Sequence, residues 1–193
     1  EKKIVEKLVS EAMIDGIISD NRFGIRNNQI PSIYLTHQLN VLSGSTSYFS
    51  SKRHQNIIKK FTECWVPDFE GEDNLSGKLG HLDRIPIKTK YIGVLSRMSK
   101  KELEKKYDVL VLLSGPEPQR SLLEKKLIQV FRWQKKSVLM IQGCVGSQQE
   151  KIQINNITIC NYMCSKELEQ SINESEVVVS RSGYTTIMDL AAI

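Results

Sequence analysis

The segment VVVSRSGYTTIMD, residues 177–189, carries the best-marked chemistry of the chain. A strand-like apolar run meets Ser-Arg-Ser-Gly, and a helical pattern begins at once. A helix opening after Ser182-Gly183 leaves backbone N–H groups unsatisfied at its N-terminus, and its dipole favours an anion there. Glycine lets an oxygen-rich ligand approach the backbone. Arg181 adds a positive charge, and Thr185 or Thr186 adds a hydroxyl. Asp189 lies about a turn and a half into the helix, where a carboxylate can accept both protons of a ribose diol. The plainer alternative makes Ser182 an N-cap and Asp189 a solvated helix residue.

The stretch LLSGPEPQRSLLEKKL, residues 112–127, repeats the design: a strand ends in Ser114-Gly115, and Pro118 sits where helices start. It is neither a Walker loop nor a G-x-G-x-x-G fingerprint. It fits a diphosphate cradle or an ordinary strand–helix turn. His37 follows another strand and suits a general base, or a hydrogen-bonded, partly buried role. Asp20 and Asp68, also at strand ends, are rival bases, because a closed cleft raises a carboxyl pKa. The sequence does not choose among the three.

The elements that must position these residues alternate. Apolar positions 4, 5, 8, 9, 12 and 13 have helical spacing. Short strands are expected at 17–19, 33–35 and 63–66, with a helix over 51–61. Residues 70–88, rich in Gly, Asp and Asn, read as a loop or linker. A second series follows, with strands at 91–94, 108–113, 137–141, 157–160 and 177–179. Its helices are expected at 120–133, at 166–173 and after 183. Continuous Val/Ile/Leu strands alternating with helices predict an α/β fold with parallel sheets covered on both faces. Ligands then bind beyond the carboxyl ends of the strands, at Asp20, His37, Asp68, Ser114-Gly115, Gln142-Gly143, Tyr162-Met163 and 180–183.

The 193 residues suffice for one domain or two small ones. No apolar run reaches the ~18 residues of a membrane span. A net charge of +5 suits phosphate-bearing ligands, nucleic acid or an anionic surface. The lysine pairs are dispersed over helix-like segments, and aromatics are few, which argues against a nucleic-acid-binding module. The four cysteines form no C-x-x-C pair and histidine is scarce, so a zinc site is not expected and reduced, cytosolic thiols are. The chain starts at Glu1 without Met and stops at Ala-Ala-Ile inside a helix pattern, and it reads as a fragment lacking both ends.

VVVSRSGYTTIMDLAA resembles the donor-binding segment of GT-B glycosyltransferases, in particular the lipid II-forming N-acetylglucosaminyltransferases (glycosyltransferase family 28, C-terminal domain). The matching positions are Arg181, Ser182, Gly183, Thr186 and Asp189. The family usually has Glu at the last of these, holding the nucleotide ribose, so the shorter Asp189 needs a closer approach. VLMIQGCVG is similar to a family strand followed by Gln, here Gln142, and a glycine-bearing turn. ITICNYMCSKEL looks like the loop whose backbone reads the uracil edge, which puts Tyr162 and Met163 at the base. VLLSGPEPQ stands where the family has a glycine-rich loop, with Gly115 as its one glycine. IPSIYLTHQLN and DGIISDNRFG resemble N-terminal segments near the cleft.

The resemblance implies two Rossmann-like domains of GT-B type. Residues 1–88 would be part of an acceptor-side domain, and 89–193 part of a donor-binding domain. Further strands would precede Glu1 and follow Ile193. The implied activity is metal-independent, cofactor-free transfer of a sugar from a UDP-sugar to an acceptor hydroxyl, with His37, then Asp20, as the base. A lipid-linked sugar as acceptor would put a cytoplasmic enzyme at the inner face of the membrane. A nucleotide-sugar hydrolase or 2-epimerase on the same fold, and a non-catalytic α/β module, are the alternatives; nucleic acid is not an expected partner.

Overall fold

The computed structural model describes residues 1–41, 47–82 and 88–193. The chain divides into two compact units, Glu1–Leu95 and Ser96–Ile193. Residues 83–87, the end of the expected linker, lie outside the described residues.

In the first unit, helix α1 (Lys2–Ser10) leads into strands β1 (Ile17–Asp20) and β2 (Ser32–Leu35). Helix α2 (Ser47–Ile58) follows, then β3 (Glu63–Val66) and, after a short 3-10 turn at Gly77–Leu79, β4 (Thr89–Tyr91). The four strands are all parallel and stand in the order β1-β2-β3-β4. Alternation puts Tyr34, Cys64 and Val66 on one face, where Leu39, Ile58 and Phe61 bury them. The other face is less covered: Ile18 is 61% exposed, where full cover was expected of both faces.

The second unit holds β5 (Tyr107–Leu112), α3 (Gln119–Phe131), β6 (Val138–Ile141), β7 (Lys151–Ile154), β8 (Ile157–Cys160), α4 (Ser165–Asn173), β9 (Ser175–Ser180) and α5 (Tyr184–Ala191). The sheet order is β7-β8-β6-β5-β9. Val109, Val111 and Leu113 face α3, packing with Leu123, Leu127 and Phe131. Leu110, Leu139 and Ile141 face the other way, against Leu168 and Ile172 of α4 and Leu190 of α5. The stretch before β5 has no regular structure but is fastened to this unit. Ser99 N–H and Oγ donate to Glu169, the Lys101 N–H donates to Asn173 Oδ1, and Lys106 pairs with Glu174.

The α/β class and its parallel-rich sheets agree with the sequence reading, with two corrections. The second sheet is mixed, because β7 pairs antiparallel with β8 across a tight turn at Asn155, whose φ is +51°. The four β7 residues are all exposed, so no buried run marks the strand. The strand expected at 91–94 is instead β4 at 89–91, bonded to β3 in the first sheet. It stops short because Gly93 turns the backbone to φ +74°.

Candidate functional site

In the second unit the carboxyl ends of β5 and β9 meet at two strand–helix turns. The backbone leaves β5 through Gly115, at φ +97°, a conformation that L side chains rarely adopt. Arg181, after β9, reaches across and donates from Nη1 to the Ser114 carbonyl at 3.0 Å. A Cβ on Gly115 would lie 1.7 Å from that nitrogen, so the absent side chain is what lets the guanidinium in. The cap residue of α5 is Gly183, with no side-chain cap bond, so Ser182 is not the N-cap of the plainer alternative. No side chain caps the positive end of the α5 dipole, which favours an anion there. Ser114, Gly115, Pro116, Arg181, Ser182 and Gly183 enclose a cavity of about 300 Å³.

A second cavity, of about 240 Å³, shares Ser114 with the first. Its walls include Leu113, Gly143, Tyr162, Met163 and Thr186. Gly143 has φ +71°, and a Cβ there would meet the Leu113 carbonyl oxygen at 2.7 Å, a backbone contact that cannot give way. The Tyr162 N–H donates to Asn161 Oδ1, and its carbonyl accepts from Gln149 Nε2. Met163 differs: among the described residues neither its amide nor its carbonyl has a hydrogen-bond partner. Below it, Glu167 accepts from the Cys164 N–H, which fixes the start of α4.

Two expected site residues are engaged away from these cavities. The Gln142 side chain donates to Glu124 Oε1 at 2.6 Å, and Arg120 of α3 contacts its carbonyl, so it serves the β6–α3 junction. Asp189 accepts from Ser96 Oγ at 2.7 Å, and that oxygen in turn accepts the Met98 N–H. Asp189→Ala is expected to weaken nucleotide binding roughly tenfold to a hundredfold if the carboxylate also holds a ribose. Calorimetry checks this: unchanged affinity with a lowered melting temperature would assign Asp189 to the Ser96 bond alone.

The first unit has its own cluster at the carboxyl edge of its sheet. Asp20 ends β1, exposed. His37, two residues past β2, is partly buried; burial pushes its pKa down, while Asp20 and Asp68 push back, so the ring is neutral near pH 7. Asp68, just past β3, is fully buried. Its Oδ1 accepts from the Phe69 and Leu75 amides at 2.8 Å each, and its Oδ2 from the Ser76 amide at 2.9 Å and from Ser76 Oγ. Burial opposes the charge, but these bonds outweigh it and hold the pKa down at about 2. Asp68 is thus not a raised-pKa base: the pocket that was expected to neutralise it is lined with donors. His81 Nε2 lies 3.2 Å from Asp68 Oδ2, and its ring stacks on Tyr91 with centroids 4.6 Å apart.

His81 and Ser96 are the residues that sequence reasoning passed over. His81 stands in the aperiodic 70–88 stretch, and its being one of three histidines was the only available signal. A larger cavity of about 590 Å³ in the first unit lies between α1 and the loop at 23–29, and none of these residues lines it. Among the described residues no three His, Cys, Asp or Glu side chains converge to hold a metal ion, and no helix is long and apolar enough to cross a membrane. No family model matches the chain, and no curated protein matches it.

Proposed function

We propose that the chain is a sugar-transferring enzyme of GT-B type that takes its sugar from a UDP-linked donor held by the second unit. The observation that carries this reading is the pair of cavities that share Ser114 in their walls. One offers a cation and glycine-floored backbone at the positive end of a helix, the recurring recipe for phosphate. The other offers an apolar slot lined by Met163, whose amide and carbonyl have no hydrogen-bond partner among the described residues. That donor–acceptor pair matches the N3–H of uracil and a neighbouring ring carbonyl. A diphosphate in the first cavity and a uracil in the second describe UDP.

The role of the donor site is to bind the diphosphate more tightly as it gains charge on leaving. Arg181 and the dipole of α5 bring charge and a fixed field to that group, which is electrostatic stabilisation without reorganisation. A hydroxyl acceptor completes the transfer, and Asp20 and His37 line the carboxyl edge of the first unit as candidates to receive its proton.

Titration calorimetry with UDP, UMP, GDP and ADP, without added metal, tests the reading. UDP is expected to bind best, with UMP about tenfold or more weaker because it lacks the second phosphate. Equal affinity for all four would remove Met163 as a base reader. No binding to any would reduce residues 177–189 to a strand–helix turn.

A further inference from the structure

We infer that the outward side of α3 and the turn after it form a docking surface for an anionic phospholipid membrane, with the cavity lined by Lys135 and Lys136 as the seat of a headgroup phosphate. The inference lies wholly within the second unit and does not depend on the donor reading.

Helix α3 buries one side only. Leu123, Leu127, Ile128 and Phe131 pack against the sheet. Helical spacing then puts Leu122, Lys126 and Val130 on the opposite side, where Leu122 is 54% and Val130 55% exposed. Trp133, just past the helix, is 75% exposed, and the Arg132 guanidinium carbon lies 4.8 Å from the centre of its ring. Indole rings concentrate at the boundary between headgroups and acyl chains, where the apolar ring and the polar N–H are both accommodated.

The charge around this apolar patch has one sign. Lys125, Lys126, Arg132, Lys135 and Lys136 are all exposed. The one carboxylate within residues 119–137, Glu124, is partly buried and engaged by Arg120 and Gln142. An anionic lipid surface matches both features, and each Lys or Arg near it is worth about fivefold in binding. A nucleic acid would match the cations but leave Leu122 and Val130 facing water. Among the described residues no helix can cross a membrane, so the contact is with its surface.

A cavity of about 350 Å³ is lined by two of these cations together with Tyr107, Ser137, Gln153 and Thr158. The neutral groups at its wall are engaged. Thr158 Oγ1 donates to Gln153 Oε1, Gln153 Nε2 to the Asn155 carbonyl, and Ser137 Oγ to Asp108 and the Lys106 carbonyl. Asn156 Oδ1 has no partner, but it is buried. Asp108, the carboxylate that feels the charge of Lys136, is occupied by the Ser137 N–H and Oγ. The Lys135 and Lys136 ammonium groups and the Tyr107 hydroxyl are left without a hydrogen-bond partner among the described residues. Spare donors and cations in a concave site complement a phosphate oxyanion. The cavity stands at the amino ends of β5, β6 and β8, the opposite edge of the sheet from Ser114 and Arg181, so it is separate from the site proposed for UDP.

The test is co-sedimentation of the full chain with vesicles of phosphatidylglycerol and phosphatidylcholine in equal parts, against vesicles of phosphatidylcholine alone. Binding is expected to the mixed vesicles only, and it should weaken in high salt. Lys135→Gln combined with Lys136→Gln should lower the affinity about 25-fold, at about fivefold for each cation. Lys59→Gln combined with Lys60→Gln makes the same change of charge on an exposed pair of the first unit and should leave binding within about threefold. All four lysines are exposed, so both variants keep the fold. Lipids brominated in their acyl chains should quench the fluorescence of the parent, and the quenching should be lost in Trp133→Phe. Equal binding to phosphatidylcholine alone, an equal loss from the first-unit variant, or quenching that survives Trp133→Phe would overturn the docking surface. Free glycerol phosphate or a single-stranded RNA bound through Lys135 and Lys136, with no binding to the mixed vesicles, would overturn it too and assign these lysines to a soluble anion or to nucleic acid. A chain that binds no UDP would fail the donor reading and leave this result unchanged.

Discussion

Replacing Asp68 by alanine is expected to cost the first unit about 3 kcal/mol of stability, the scale of removing one partner from a buried, bonded charge. The side chain is fully buried and receives the amides of Phe69, Leu75 and Ser76, the Ser76 hydroxyl and His81. Alanine orphans all of these donors at once, and the 69–76 loop has little apolar packing to replace them. Asp68→Asn keeps an acceptor for two amides but turns an NH₂ group toward the other three partners, so it should cost about half as much or more. Urea unfolding followed by Trp65 fluorescence measures both. A loss below about 1 kcal/mol for the alanine variant would mean that the loop holds itself.

The same carboxylate gives the first unit a stability that depends on pH, and the sign is fixed. Folding lowers the Asp68 pKa from its ordinary 3.8 to about 2. Between those values the unfolded chain binds more protons than the folded one, so stability rises with pH there. The contribution is complete above the ordinary aspartate range and is lost as pH falls through about 2. Asp68→Ala should therefore flatten the acid limb of the stability profile.

Much of the fold is legible in the sequence because burial writes it there. Glu63–Val66 and Ile157–Cys160 stand at the residues expected of them, each an apolar run stopped by a polar or proline turn. The β7 strand is not legible in this way: Lys-Ile-Gln-Ile alternates, but neither face is covered, and only the Asn-Asn turn beside it hints at a hairpin. Sites divide along the same line. Arg181, Ser182 and Gly183 can be picked out because a strand, a glycine and a helix start lie within a few consecutive residues. The Asp68–His81 contact cannot, because it spans 13 residues of aperiodic loop and exists only once that loop has closed. Which partner a polar side chain takes is also invisible to pattern. Gln142 turns to Glu124 and Asp189 to Ser96, choices set by packing geometry and not by local spacing.

Gly115 and Arg181 should behave as a single unit toward UDP. Arg181→Ala removes the guanidinium that lines the cavity proposed for the diphosphate and should weaken UDP roughly tenfold to a hundredfold, as for a charge-assisted bond. Gly115→Ala should do at least as much without touching a charge. Its Cβ would occupy the place of Arg181 Nη1, 1.7 Å away, and because that atom is the end of a flexible side chain, the guanidinium would leave and the Ser114 carbonyl would lose its donor. The φ of +97° adds strain of about 1 kcal/mol or more, which pulls the turn away from the shape that lets an oxygen approach the backbone. Once Gly115 is alanine, the arginine has already gone, so truncating it as well should change little. The double variant is therefore expected within about twofold of Gly115→Ala alone, a coupling as large as the effect of Arg181→Ala itself. Calorimetry on the four proteins measures the cycle. Additive losses would mean that the two residues contact the nucleotide independently, and that the close approach of Arg181 to Gly115 is not what places its charge.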